Sequence, residues 1–299
     1  MRNPNQKRPG RGLEALFYLP AAVLLVLVVV YPIVRTTFFS FTRTTLDTGF
    51  QSEFVGVQNY LRLVSDSRFH TTLWVTTSFT VISVALEFAL GLLLALGADS
   101  FVRGRGLIRA FFLAPWTLPT AIIAVLWAWI FNDQYGVLNA LLTKAHIVQT
   151  PIAWLATPTS AMASIIIADV WKTTPFVFLV LLAGIQNVPR ELYEAVEIDG
   201  GGAWAKFRHV TWPFLLPFVF ISLVFRLIQS FAIFDLVYVM TGGGPGGATE
   251  TVSVYAYQTY MRYLDIGYAS AQVGAVVIIL AVTTYVLYRL LLRRYARLV

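Results

Sequence analysis

Cysteine is absent from this chain of 299 residues. That excludes disulfides, thiolate metal sites and thiol catalysis. Charge is scarce as well. Only 12% of the residues are Asp, Glu, Lys or Arg, against roughly 25% in a soluble globular domain. The recognisable enzyme signatures are missing too. His70, His146 and His209 stand apart from one another, with no His-Glu-x-x-His pair and no Gly-x-Ser-x-Gly elbow. No G-x-x-x-x-G-K-[ST] phosphate loop occurs, so the chain does not bind ATP in that way, and any ATP hydrolysis that drives it belongs to a partner. No cleavable leader is expected. The first apolar stretch is too long for a leader's hydrophobic core and lacks a small-residue cleavage site.

What the chain has in abundance is apolar length. Hydrophobic residues make up 58% of it, and the mean hydropathy is +0.71. A helix crosses the hydrocarbon core with about 20 mostly apolar residues. Six stretches qualify: Ala15–Thr37, Leu73–Leu96, Ile108–Phe131, Ala161–Gln186, Phe214–Met240 and Ala269–Leu292. The expected fold is therefore an all-α polytopic membrane protein of about six transmembrane helices.

The net charge of +7 is then an orientation signal rather than a nucleic-acid footprint, and no nucleic-acid partner is expected. Placing the N-terminus inside collects Arg2, Lys7, Arg8 and Arg11 in the tail, and Arg103, Arg105 and Arg109 in the second-to-third loop. It also collects Arg190, Lys206 and Arg208 in the fourth-to-fifth loop, and Arg289, Arg293, Arg294 and Arg297 at the end. The opposite loops hold Arg35, Arg43, Arg62, Arg68, Lys144 and Arg262. Fourteen against six places both termini in the cytoplasm and requires an even number of spans.

The first outer loop, about Arg35–Thr72, is expected to carry structure of its own. The run Gly242-Gly243-Gly244-Pro245-Gly246-Gly247 reads as a flexible outer turn, because no Lys-Ser or Lys-Thr follows it. The division expected is a cytoplasmic tail over 1–14, the first span and outer loop over 15–72, a core over 73–292 and a tail over 293–299.

Charges within spans cost several kcal/mol and usually face the bundle interior. Glu87, Asp169, Lys172, Arg226 and Asp235 are the ones in or near spans. Asp169 and Lys172, three residues apart, are expected to share a face and can pair. Glu87 lies on a four-residue stripe with Ser83, Gly91 and Ala95, which permits close helix packing. Arg226 shares a face with Gln229 and Ser230 but not with Asp235. Lys172, Thr173, Gln229 and Asp235 are the candidates for a polar translocation path; structural pairing is the other reading. Pro175 removes a helical bond to the carbonyl of Trp171 and kinks the fourth span unless Thr173 or Thr174 compensates. Pro115 and Pro119 break the start of the third.

The loop 188–213 is longer than a plain connector and internally organised: an amphipathic helix over Glu191–Asp199, a glycine stop, a second short helix, then prolines opening the next span. Such a loop suits a docking surface. It also carries Glu194-Ala195-Val196, Gly200, Val210, Trp212 and Pro213 at fixed spacing. Here the chain resembles the permease subunits of binding-protein-dependent ABC importers, whose signature runs Glu-Ala-Ala, three residues, Gly, nine residues, Ile, one residue, Leu-Pro. Val196, Val210 and Trp212 depart from it while staying apolar. Asp199, Trp204, Phe207 and Pro217 fit the version seen in sugar permeases. Phe54-Val55-Gly56-Val57-Gln58-Asn59-Tyr60, Gly136-Val137-Leu138-Asn139 and Thr241-Gly242-Gly243-Gly244-Pro245 are similar to segments of the maltose, trehalose and glycerol-phosphate type.

The resemblance implies a type I importer fold in a bacterial or archaeal cell membrane. It also implies a second permease subunit, two ATP-binding subunits that hold ATP and Mg²⁺, an extracytoplasmic binding protein, and a carbohydrate cargo, with no cofactor in this chain. Within the loop it points to Glu191, Glu194, Ala195, Val196, Asp199, Gly200 and Pro213 as the residues that couple to the ATPase. Two rivals fit the spans alone. An ion-driven secondary transporter does not need the organised loop, and a membrane-embedded enzyme needs a catalytic constellation that is not found.

Overall fold

A computed structural model describes residues 11–99 and 113–295. Arg103, Arg105, Arg109 and residues 108–112 of the third expected span lie outside the described residues. So do the tail residues Arg2, Lys7, Arg8 and Arg297. The chain divides into two compact units: Met1–Ser65 with Thr259–Ala275, and Asp66–Gln258 with Val276–Val299.

The first unit begins with a helical run in three parts: α1 (Arg11–Leu25), a π-helical turn (Val26–Val30) and α2 (Tyr31–Ser40). Tyr18–Ser40 is long and apolar enough to cross a membrane, and most of its large apolar side chains are exposed. The outer loop does carry structure. Strands β1 (Thr42–Arg43) and β2 (Glu53–Phe54) pair antiparallel, Thr42 opposite Phe54 and Arg43 opposite Glu53. Helix α3 (Gln58–Ser65) follows. Asn59, buried, donates through Nδ2 to the carbonyls of Ser40 (3.0 Å) and Thr42 (2.9 Å), which fixes the end of α2 against α3. Arg62 meets Asp265 at 2.7 Å and lies over the ring of Tyr268.

The second unit contains α4 (Ser67–Asp99), α5 (Thr120–Ile130), α6 (Val137–Lys144), α7 (Pro158–Gln186), α8 (Arg190–Ile198), α9 (Ala203–Lys206), a π-helical turn (Phe207–Thr211), α10 (Trp212–Phe231) and α11 (Asp235–Met240). Helices α12 (Val252–Met261) and α13 (Ile266–Tyr295) contribute to both units. Helix α4 packs along α7, where lipid offers no hydrophobic drive and close van der Waals contact must serve. Gly91 makes that approach possible: a Cβ there would stand 2.9 Å from Cγ1 of Val177 and 3.1 Å from the backbone nitrogen of Phe178. Ser83, Glu87 and Ala95 on the same stripe are all buried. One apolar core joins Phe79, Ile123, Phe131, Ile165 and Leu236; a second joins Ala95, Val177, Phe178, Leu181 and Leu215.

Five helices among the described residues are long and apolar enough to span: Tyr18–Ser40, Ser67–Ala98, Pro158–Gln186, Ala203–Phe231 and Ile266–Leu291. The third expected span is divided. Residues 113–117 are helical around Pro115, the chain breaks at Leu118, and Pro119 stands extended (ψ 135°) ahead of the 11-residue α5. Proline restricts the residue before it to extended backbone, which accounts for the break.

The fifth span stops at Phe231, nine residues short of the expected Met240, and Asp235 opens a separate short helix. The carbonyls exposed at that stop are taken up from a distant segment: Thr251 Oγ1 donates to Ile233 O (3.1 Å) and Ser253 Oγ to Phe231 O (3.4 Å). Helix α7 runs on through Pro175. Neither expected hydroxyl serves the carbonyl of Trp171. Thr173 Oγ1 donates to Asp169 O (2.6 Å), and Thr174 Oγ1 is buried with no partner among the described residues. The glycine-rich turn is pinned: Thr249 Oγ1 lies 2.6 Å from Gly244 O and 2.7 Å from Thr241 Oγ1.

Candidate functional site

Two places in the second unit collect the residues singled out from the sequence. The first is the loop 188–213. Helix α8 starts after Pro189 and presents Glu191, Leu192, Glu194, Ala195 and Ile198 to solvent, Ile198 at 86% exposure. It stops at Asp199 through two backbone bonds, Gly200 N–H to Glu197 O (3.0 Å) and Gly201 N–H to Val196 O (2.8 Å). This is the Schellman arrangement, which requires a left-handed residue at its centre. Gly200 supplies it, with φ +77°.

Val196 turns back onto the stop: a Cβ on Gly201 would fall 2.5 Å from its Cγ1. Glu197 pairs with Lys206, and Tyr193 and Thr211 share a hydroxyl–hydroxyl bond of 3.0 Å. Trp204 stacks on Phe207, which in turn lies against Trp212. Pro213 sits in the first turn of α10. Glu191, Glu194 and Asp199 are exposed and form no ion pair among the described residues. The loop is thus a helix held at both ends, with an acidic and partly apolar outer face left open.

The second place is a buried charge cluster at the meeting of α4, α7 and α10. Arg226, 2% exposed, donates to both oxygens of Glu87: Nε to Oε2 at 2.5 Å and Nη2 to Oε1 at 2.7 Å. Nη2 also reaches Asp169 Oδ2 (3.1 Å), and Nη1 reaches Gln229 Oε1 (2.8 Å). Thr173 Oγ1 lies 2.7 Å from Glu87 Oε1, so its single hydrogen is shared between that oxygen and the Asp169 carbonyl. Asp169 therefore pairs with Arg226 and not with Lys172, as its spacing had suggested. The planar guanidinium spans two helices bidentately, which an ammonium one turn away on the same helix cannot do.

Of the four expected path residues, Thr173 and Gln229 are held by this cluster. Lys172 is half-buried and makes no ion pair among the described residues, and Asp235 is exposed. The triad itself escaped the sequence reading. Five charges of both signs in spans were its only trace, and nothing local told which pairs with which.

This fold, several spans around a cross-helix ion cluster with an exposed helix in one long loop, is that of a polytopic transport component. The comparisons agree. Residues 87–297 match the family model described as "Binding-protein-dependent transport system inner membrane component", and the chain belongs to that family. It is 42% identical over 261 residues to a trehalose/maltose transport system permease protein of Thermococcus litoralis, covering 87% of this chain and 86% of the relative. It is 40% identical to a sulfoquinovosyl glycerol transport system permease protein of Agrobacterium fabrum, covering 87% and 84%. Among solved structures, a chain of a bacterial ABC transporter that imports the acidic polysaccharide alginate superposes with TM-score 0.80 at 20% identity, over 94% of this chain and 95% of that one. The type I importer fold expected from the loop is the fold found, in a multi-pass membrane protein.

Proposed function

We propose that the chain forms half of the translocation path of an ATP-driven importer for a carbohydrate. A second permease subunit completes the path, two ATP-binding subunits hold ATP and Mg²⁺, and an extracytoplasmic binding protein delivers the cargo. The carbohydrate class rests on the relatives, whose names pair a disaccharide and a sugar glycerol with the same kind of permease.

The observation that carries the reading is the open outer face of α8, rigidly closed behind by the Gly200 stop and the Lys206–Glu197 pair. A subunit whose sequence carries no phosphate-loop motif and that is moved by ATP needs a stiff element to receive the force. Glu191, Glu194 and Asp199 meet basic groups of the ATP-binding subunit, and Leu192, Ala195 and Ile198 enter its cleft. Val196, Gly200 and Pro213 fix the helix from behind.

Glu194→Arg and Gly200→Val test it. Both variants are expected to reach the membrane and to dock the binding protein. Both then weaken the attachment of the ATP-binding subunits or uncouple ATP hydrolysis from transport. Normal ATP-dependent uptake by both would remove the reading. Uptake abolished by an uncoupler while ATP is held constant would favour the ion-driven rival.

A further inference from the structure

A helix crossing about 30 Å of hydrocarbon needs about 20 residues, and α10, Trp212–Phe231, has 20. The turn just before it, Phe207–Thr211, belongs to the same continuous helix Ala203–Phe231, which at 29 residues is longer than the core requires, and it carries the exposed charge of Arg208, which settles at the level of the lipid headgroups rather than in hydrocarbon. That turn exposes Arg208 and His209. Arg208 forms no ion pair among the described residues. His209 has Nδ1 3.1 Å from Ala205 O, so the carbonyl accepts from Nδ1–H and Nε2 is left as the outward polar atom.

Both residues line a cavity of about 580 Å³ whose other walls include Trp212, Leu216, Leu290 and Leu291. The two leucines at 290 and 291 end another span, Ile266–Leu291. Phe220 and Tyr288 touch edge to face and hold that span against α10. Further along the same helix, the sequence adds Arg293 and Arg294 to the exposed Arg289. The cavity is thus cationic at its headgroup end and aliphatic at its hydrocarbon end, with a tryptophan at the boundary where such rings settle. A basic pocket between transmembrane helices is the setting in which anionic headgroups are held.

We propose that this cavity binds an anionic phospholipid, with the phosphate on Arg208, the headgroup beside His209 and an acyl chain along Leu216, Leu290 and Leu291. The charge and the apolar wall are both needed. A free phosphate would use only the cations, and a zwitterionic lipid only the wall.

Native mass spectrometry of the assembled complex containing this chain at full length, titrated with phosphatidylglycerol and with phosphatidylcholine of the same acyl chains, tests the proposal. Phosphatidylglycerol is expected to bind more tightly. Affinity should fall about fivefold in Arg208→Ala, which removes one cation, and no less in the double variant with His209→Ala, which also removes the ring beside it. Arg208→Lys should keep it. Inorganic phosphate at equal concentration should leave the lipid bound. Displacement by phosphate would assign the site to a free anion and overturn the proposal. Equal affinity for phosphatidylcholine, wild-type binding by the double variant, loss of binding in Arg208→Lys, or no lipid on the assembled complex would also overturn it.

Discussion

At the scale of single residues, the decisive group is Arg226. Its guanidinium uses Nε, Nη1 and Nη2 on partners from α4, α7 and its own helix. Taking charges out of water is costly, so the net worth of such a cluster is small, while removing one member leaves the others uncompensated. Arg226→Met should therefore lower stability by about 3–5 kcal/mol, because Glu87 and Asp169 remain buried together. The triple change Glu87→Leu, Asp169→Leu and Arg226→Met should recover most of that loss. Thermal unfolding of the purified complex measures both; equal melting of Arg226→Met and wild type would sink the structural account.

A different outcome belongs to Lys172 and Asp235, which form no ion pair among the described residues, and to Gln229, whose Oε1 accepts from Arg226 at the edge of the cluster. We expect them to offer hydrogen bonds to sugar hydroxyls, with Thr173 acting through Glu87. Each lost bond with a buried partner left behind costs about 1–3 kcal/mol. Alanine at all four positions should cut substrate-stimulated transport at least tenfold while assembly persists, and normal uptake would remove them from the path. The sequence showed these charges but not their pairing, because the Glu87–Arg226 contact joins residues 139 apart.

At the scale of elements, the loop 188–213 was the most legible part of the chain and the end of α10 among the least. The reason is locality. The Gly200 stop, the short helix after it and Pro213 at the next helix start are all settled by residues within one or two turns. The stop of α10 at Phe231 depends instead on hydroxyls of Thr251 and Ser253, and residues 232–234 contain neither glycine nor proline to announce it.

The same locality makes the loop testable on its own terms. Gly200→Ala forces a side chain into left-handed backbone, at about 1–2 kcal/mol. Gly201→Ala drives a Cβ against Val196 instead. The two defects are distinct, yet both displace the end of α8. Each should loosen the attachment of the ATP-binding subunits without altering binding-protein docking. Val196→Ala removes the closest of the contacts, at Cγ1, while the Val196 carbonyl (2.9 Å) and Ala205 Cβ (3.1 Å) remain, so it should restore attachment in part in Gly201→Ala and not in Gly200→Ala. Equal behaviour of the two glycine variants in the Val196→Ala background would show that the Val196–Gly201 contact does not set the stop.

At the scale of the whole molecule, hydropathy located the spans because lipid admits few alternatives to an apolar helix. The described residues give five long spans and an interrupted sixth region. Orientation rests on the Lys and Arg distribution, a property of loops rather than of packing. The absence of cysteine makes it directly measurable, since a single introduced thiol reacts without background. Positions 56 and 201 are poor choices: Gly56 has φ +60°, and Gly201 has no room for a Cβ. Val57, 58% exposed in the outer loop, and Ile198, 86% exposed on α8, carry no such strain.

With both termini and α8 in the cytoplasm, Val57→Cys should react with an impermeant maleimide in intact cells. Ile198→Cys should react only after permeabilisation. The second measurement is made with the ATP-binding subunits absent, so that a covered thiol is not mistaken for an inaccessible one. Restoring those subunits should then slow the labelling of Ile198→Cys and leave Val57→Cys unchanged. Labelling of Ile198→Cys and shielding of Val57→Cys in intact cells would invert the topology. It would also place α8 on the side where no ATP is available, and the coupling role would fall with it.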